Sequence, residues 1–365
     1  MTALIRFELQ KVWRKGSFLS LMVLLLLLNI FLLWYLNQPT GDEPPLSAYK
    51  AVCQDISGMT EHEKLTYISD LKEQADGLSL VEQVQSLYGQ GSEAGDSLAE
   101  QLKESNSDIY EKYEELYRTG GYLVYTDSLT KERSLLDELY EEISAVSGYD
   151  DYLASVQKNS SQLGGISIFQ SSTAEENFGS RNIAKSAADH AGLSSENIRW
   201  FPSKGMTMAV ESQATDLLLL LSVFLFVGQL ITEEKGKGLF AITRSTKRGL
   251  WADMGARIVA VLIHGGVVCL LLYGSNLIYA SSMAGIGNLS ASLQSLAPYV
   301  ESSFPISLAT FLALGLITKI GVVFLLGLLL AACAVYSSHS FIPQLVGIGF
   351  LGLNWILYAF IQIGR

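Results

Sequence analysis

Charge is what this sequence has least of. Asp, Glu, Lys and Arg make up 17% of its 365 residues, where soluble domains carry about a quarter. The shortfall is local. Phe18–Leu36 and Val322–Val335 hold no charged residue, whereas residues 38–211 are ordinary, polar and acidic. A chain divided in this way is built for two solvents, lipid and water. The net charge of −11 comes mostly from the polar block and excludes the overall basic footprint of a nucleic-acid-binding protein. It reads as a solvated surface rather than a cation site.

Cysteine and histidine are also scarce. Cys269 and Cys333 lie in apolar runs, and Cys53 stands alone in the polar block. One such cysteine cannot close an internal disulfide, and no spacing matches a zinc site or a redox pair. This suits a bacterial envelope protein. His62, His190, His264 and His339 are scattered and form no metal-ligand cluster. The phosphate loop G-x-x-x-x-G-K-[S/T] is missing, so any nucleotide hydrolysis must come from another polypeptide.

What is present is apolar runs of bilayer length. Crossing the hydrocarbon core takes about 20 helical residues, and the segments 17–36, 214–232, 258–281, 306–336 and 341–361 qualify. The first has the basic start and leucine core of a signal peptide. Its apolar run is long for one, however, and "NQPTGDEPP" offers no small-x-small cleavage pattern, so an uncleaved helix is expected. Arg6, Lys11, Arg14 and Lys15 precede it, and Lys235, Lys237, Arg244, Lys247, Arg248 and Arg257 separate the second run from the third. By the positive-inside rule both flanks are cytoplasmic. The expected protein is multi-pass in the cell membrane, with a cytoplasmic N-terminus and residues 37–213 extracellular. Residues 282–305 form a second extracellular loop, and the C-terminus lies outside. Within residues 1–16, Leu4, Ile5, Leu9 and Val12 recur at helical spacing, and the basic residues fall mostly elsewhere. That pattern fits an interfacial helix on the inner leaflet, with Trp13 at headgroup depth.

The block 37–213 is large enough to fold alone, and its period is helical. Thr60 and Glu63 have capping-box spacing, as do Thr173 and Glu176. Leu65, Ile68 and Leu71 line one helix face, and Leu136, Leu139, Tyr140, Ile143 and Val146 another. Gly120–Gly121 and Gly164–Gly165 punctuate the helices, and "GYLVYT" is compatible with a short β element. The pairs Glu114–Glu115, Glu141–Glu142 and Asp150–Asp151 are sequence neighbours. Neighbours do not share a helix face, so they read as solvated surface and not as catalytic pairs. Tyrosines at 110, 113, 117, 122, 125, 140, 149 and 152 are suited to semi-buried packing or to contact with a peptide, sugar or protein. The fold class expected is an all-α polytopic membrane protein: a helical transmembrane bundle plus a mainly α-helical extracellular domain.

Between the second and third runs lies "ITEEKGKGLFAITRSTKRGLWADMGAR". Gly236 and Gly238 permit a tight turn, and Leu239, Phe240 and Ile242 then precede basic residues. A short helix here would rest on the membrane and present one side to the cytosol. An amphipathic start, a first span, a large outside insertion and "FLFVGQLITEEKGKGLFAITRSTKRGL" after them together resemble a permease of the type-2 ABC exporter family. The resemblance covers the membrane portions only. It implies that residues 233–257 form a coupling segment against an ATPase subunit. Glu233, Glu234, Gly238, Leu239, Thr243 and Arg248 stand at matching places, and Arg244 and Lys247 lie among them. It further implies two copies of a P-loop ATPase that bind ATP and Mg, with no cofactor in this chain, and a second permease copy or a homologous permease. The exported substrate would be hydrophobic, lipid-like or a peptide. The family ordinarily has six spans where five are counted here, so the sequence is expected to be a piece of a longer permease.

Polar residues inside the spans are the remaining candidates. Lys319 interrupts the fourth run, and an ionisable residue there marks function by default. Either one helix carries it in its middle, or the crossing starts after Thr318 and Lys319 snorkels to outer headgroups. Snorkelling or a water-facing position is the expected arrangement. Asn29, Gln229, His264 and Asn276 also lie in or near spans. Such groups hydrogen-bond neighbouring helices or line a substrate path. Gly265, Gly266, Gly315 and Gly327 mark close helix contact. No catalytic residue and no metal site is expected. A rival reading makes the outside domain a binding or sensing module and the spans its mount.

Overall fold

The structure, a computed structural model, describes residues 2–163, 185, 187–190, 193, 198–236, 249–336, 345–349 and 352. In chain order the first helices are α1 (Thr2–Trp13), α2 (Gly16–Leu36), α3 (Leu46–Asp55), α4 (Glu61–Gly89), α5 (Glu93–Ser105) and α6 (Ser107–Thr119). Then come α7 (Leu129–Ser147), α8 (Tyr149–Leu163), α9 (Lys204–Val210), α10 (Gln213–Gly236), α11 (Gly249–Met283) and α12 (Leu308–Tyr336). No strand occurs among the described residues. The chain divides into a membrane unit (Met1–Asn37, Met206–Ser281, Leu312–Arg365) and a helical unit (Gln38–Gly205, Ser282–Phe311).

Among the described residues, four helical stretches are long and apolar enough to cross a membrane: Gly16–Leu36, Lys204–Leu230, Ala252–Met283 and Leu308–Cys333. The 21 residues of α2 rise about 31 Å, close to the ~30 Å hydrocarbon core. Trp34 and Tyr35 near its end are half exposed, as aromatics at a membrane–water boundary are. Leu27, Ile278 and Leu325 are 59%, 74% and 66% exposed. Apolar surface of this kind is stable in lipid and would aggregate in water. The opposite faces close a core of Phe18, Leu25, Leu219, Val223, Phe226, Val261, Leu272, Val323 and Leu326. Where α11 meets α12 a valine side chain fills the space over each glycine: a Cβ on Gly265 would stand 2.4 Å from Val323 Cγ1, and one on Gly327 would stand 2.4 Å from Val261 Cγ1. Small residues admit the approach from which helices in lipid gain their packing energy.

α11 differs from its sequence expectation. The apolar run 258–281 is only part of a 35-residue helix, about 52 Å long, which begins at Gly249. Residues 249–257, read as part of the coupling segment, are therefore helical, with Arg257 bonded to Asp253 at 2.6 Å one turn away. α10 likewise runs on to Gly236. The fifth run, 341–361, lies outside the described residues except at 345–349 and 352. So do the Thr173–Glu176 box and Gly164–Gly165.

In the helical unit, α4 packs against α5, α6 and α7. Thr60 and Glu63 form a reciprocal capping box at its start. Ile68 (α4), Leu136, Leu139, Ile143 and Val146 (α7) and Tyr49, Val52 and Ile56 (at α3) make one core. Leu78, Val81, Val84, Ala99, Tyr110 and Tyr113 make a second. Tyr110 and Tyr149 are fully buried packing residues. The Tyr113 ring lies across Gly77, where a Cβ would meet it at 2.1 Å. Residues 282–311, which follow the third span, belong to this unit. Buried Gln294 holds them by donating to Ser302 O at 2.8 Å and Phe304 O at 2.9 Å.

Two expectations are corrected here. "GYLVYT" forms no strand: the backbone N–H groups of Val124, Tyr125 and Thr126 donate to the Glu132 carboxylate at 2.8–3.3 Å, with Thr126 Oγ1 2.7 Å from it. That carboxylate, 3% exposed, replaces the ladder a strand would need. Nor is Glu142 solvated like its exposed neighbour Glu141. Its carboxylate accepts from Tyr49 OH at 2.9 Å and from Ser203 Oγ, and Ser203 N donates to Tyr49 OH at 3.2 Å. Burial pushes the Glu142 carboxyl above the usual range, against the pull of these two donors. Burial likewise raises the Cys53 thiol on the same core to about 12, which leaves it an inert thiol.

Candidate functional site

The polar groups of the membrane unit gather at two levels. The first cluster joins α2, α10 and α11. Asn29 is fully buried because it falls on the face of α2 that also carries Leu25 and Leu33. Its Nδ2 donates to Asn276 Oδ1 at 2.7 Å and Ser275 Oγ at 3.1 Å. Its Oδ1 accepts from Thr215 Oγ1 at 2.7 Å, and Thr215 Oγ1 in turn accepts from Asn276 Nδ2 at 2.9 Å. Each amide thereby uses both ends in a closed three-helix ring, which satisfies groups that lipid would leave bare.

One residue along α10 the charge appears. Lys319 Nζ donates to Asp216 Oδ1 at 2.7 Å and Oδ2 at 2.9 Å. The hydroxyl of Tyr273 donates to Asp216 Oδ1, and the Tyr273 ring lies 4.6 Å beneath the ammonium. α12 is continuous through position 319, so of the two arrangements weighed for Lys319 one helix carries it, and the lysine has a counter-ion on α10. The pair sits at the edge of the bundle, with Lys319 17% and Asp216 37% exposed in their side chains. On the same two helices Leu217, Leu314 and Ile317 are 42%, 49% and 63% exposed. An ion pair with apolar surface around it is held by mutual need: neither charge tolerates lipid without the other.

The second level holds His264, fully buried. It stacks on Phe226 with ring centroids 4.1 Å apart, and Trp13 Nε1 donates to its Nδ1 at 3.3 Å. Because an indole N–H only donates, Nδ1 is the acceptor. His264 therefore pins α1 onto α10 and α11. The amphipathic pattern of α1 serves this docking: Val12 is buried in the bundle core with Leu9 and Trp13 against it, while Leu4 and Phe7 stay 41% and 61% exposed. Gln229 is half-buried on α10, away from the ring of amides.

The structure thus joins Asn29 to Asn276, and it separates His264 and Gln229 from them. It adds Thr215, Asp216 and Tyr273, which the sequence reading passed over. Of the proposed coupling residues, Gly238, Leu239, Thr243, Arg244, Lys247 and Arg248 lie outside the described residues, as do the side chains of Glu233 and Glu234 in the last turn of α10. No group of three His, Cys, Asp or Glu side chains that could hold a metal occurs among the described residues. Comparison of the chain with protein-family models, with curated proteins and with solved structures finds no match.

Proposed function

We propose that the chain is the permease subunit of an ABC exporter, which couples ATP hydrolysis in a separate subunit to export of a hydrophobic, lipid-like or peptide substrate. The observation that carries this reading is the α10–α11 hairpin. Both helices extend toward their connection and leave only residues 237–248 between them. These hold Lys237, Arg244, Lys247 and Arg248 and no acidic residue. α1 docks toward the same end through Trp13 and His264. A connector too short to form a domain, mounted on two long helices, is a lever. A cytoplasmic partner that presses on it moves α10 and α11, and those helices carry Thr215, Asp216, Tyr273 and Asn276. In this scheme two ATPase copies bind ATP and Mg, a second permease copy completes the path, and the helical unit lies outside the cell.

The test is purification of the full chain in mild detergent, with mass spectrometry of what accompanies it. A stoichiometric P-loop ATPase is expected, lost on Glu233→Ala or Arg248→Ala while the protein still inserts. Its absence even after crosslinking overturns the reading. The alternative, an extracellular binding or sensing module on a membrane mount, draws support from the two cores of the helical unit. It predicts ligand binding with no ATPase partner.

A further inference from the structure

The Asp216–Lys319 pair is a matched set of opposite charges that hold each other. Three observations bear on what could replace either partner. First, the pair is partly open, and the two helices that carry it, α10 and α12, are apolar enough to lie in lipid, with Leu217, Leu314 and Ile317 exposed along them. A ligand arriving there comes through lipid and carries apolar chains. Second, Asp216 already binds a primary ammonium and a hydroxyl donor, Lys319 Nζ and Tyr273 OH. Its site is made for N–H and O–H donors, which a trimethylammonium lacks. Third, Lys319 points at two carboxylate oxygens at once, a geometry that a phosphate reproduces.

A ligand of one sign would strand the opposite partner unpaired in an apolar setting. A zwitterion exchanges both partners with no loss of charge pairing. We infer that the pair is a subsite for an amphiphile whose headgroup joins a primary ammonium to a phosphate, the ammonium seated on Asp216 and the phosphate on Lys319. The inference rests on the exporter reading and supplies the substrate class of that path. Depth agrees with a headgroup drawn below the surface. Asn29, in the ring next to the pair, lies five residues before Trp34 on α2, about 8 Å along the helix.

The test is native mass spectrometry of the full chain released from vesicles of phosphatidylethanolamine, phosphatidylcholine and phosphatidylglycerol in equal parts. The expected result is about tenfold greater retention of phosphatidylethanolamine than of either other lipid, the scale of one charge-assisted hydrogen-bonded contact. The combined Asp216→Asn, Lys319→Met protein, which leaves no bare charge, should bring that ratio to about one. Equal retention of all three lipids by the unaltered protein overturns the inference without recourse to any variant. So does a preference for the anionic lipid, or a preference that survives the double substitution. Co-purification of the ATPase is scored on the same samples. An ATPase without headgroup preference sinks this inference alone, and headgroup preference without an ATPase sinks the exporter reading alone.

Discussion

The two units solve opposite problems with the same residue types. In the helical unit water drives the fold: Ile68, Leu136, Leu139 and Ile143 leave solvent and define the core, and most charges stay outside. In the membrane unit the apolar side chains gain little by leaving lipid, so close glycine contacts and polar pairs between helices determine which helix lies beside which. Each unit also holds the exception that tests the rule. The helical unit buries Glu132 and Glu142, and each carboxylate is surrounded by donors. The membrane unit keeps a lysine, and it faces an aspartate. In both, these charges are kept beside partners that answer them, carried for Glu142 and Lys319 by a different helix or loop.

The largest effect that would break this comparison is expected from Lys319→Met. It leaves Asp216 without its counter-ion and should cost about 3 kcal/mol, read as a lowered unfolding midpoint in mixed micelles. Adding Asp216→Asn should restore most of it, since a charge pair removed whole leaves nothing bare. Full additivity of the two losses would refute the pairing. Glu132→Gln comes next. The amide keeps one acceptor oxygen but places a donor against the N–H groups that faced the other, which costs about 2–3 kcal/mol. Hydrogen exchange should show loss of protection in residues 120–132 with the membrane unit unchanged.

Gly77→Ala drives a methyl into the Tyr113 ring and should destabilise the helical unit by about 1–2 kcal/mol, despite the higher helix propensity of alanine. A gain in stability instead would show that the ring moves freely.

The smallest effect concerns pH. Burial raises the Glu142 carboxyl in the folded protein, so its folded form binds a proton more readily than its unfolded form. Its stabilising contribution is complete below the unfolded value, about pH 4.3. It is lost as pH rises through the folded value. Exposed carboxylates held low by their partners, such as Asp127 beside Lys131, act with the opposite sign. The difference between unaltered protein and Glu142→Gln isolates the effect. The variant should gain relative stability between pH 4.5 and 7, measured by thermal unfolding. A difference that does not change with pH would place the charge on another group.

Legibility in the sequence followed the range of the signal. The Thr60–Glu63 box and the faces of α4 and α7 could be read because they repeat within a few residues. Lys319 was visible as a charge in an apolar run, yet its partner was not. Asp216 lies in the first turn of α10, where an acidic residue reads as a complement to the helix dipole. "GYLVYT" has β-forming residues, and it lost that fate to a carboxylate on the next helix.

The sequence by itself determined that the chain is helical, which stretches suit lipid, and where polar residues interrupt them, because length, hydropathy and the 3.6-residue period are local properties. Only the tertiary structure decided that Asn29 closes a ring with Thr215 and Asn276, that Asp216 answers Lys319 across 103 residues, and that Glu142 turns inward. Those outcomes depend on which helix faces are brought together, and a one-dimensional pattern carries no information about the face it will meet.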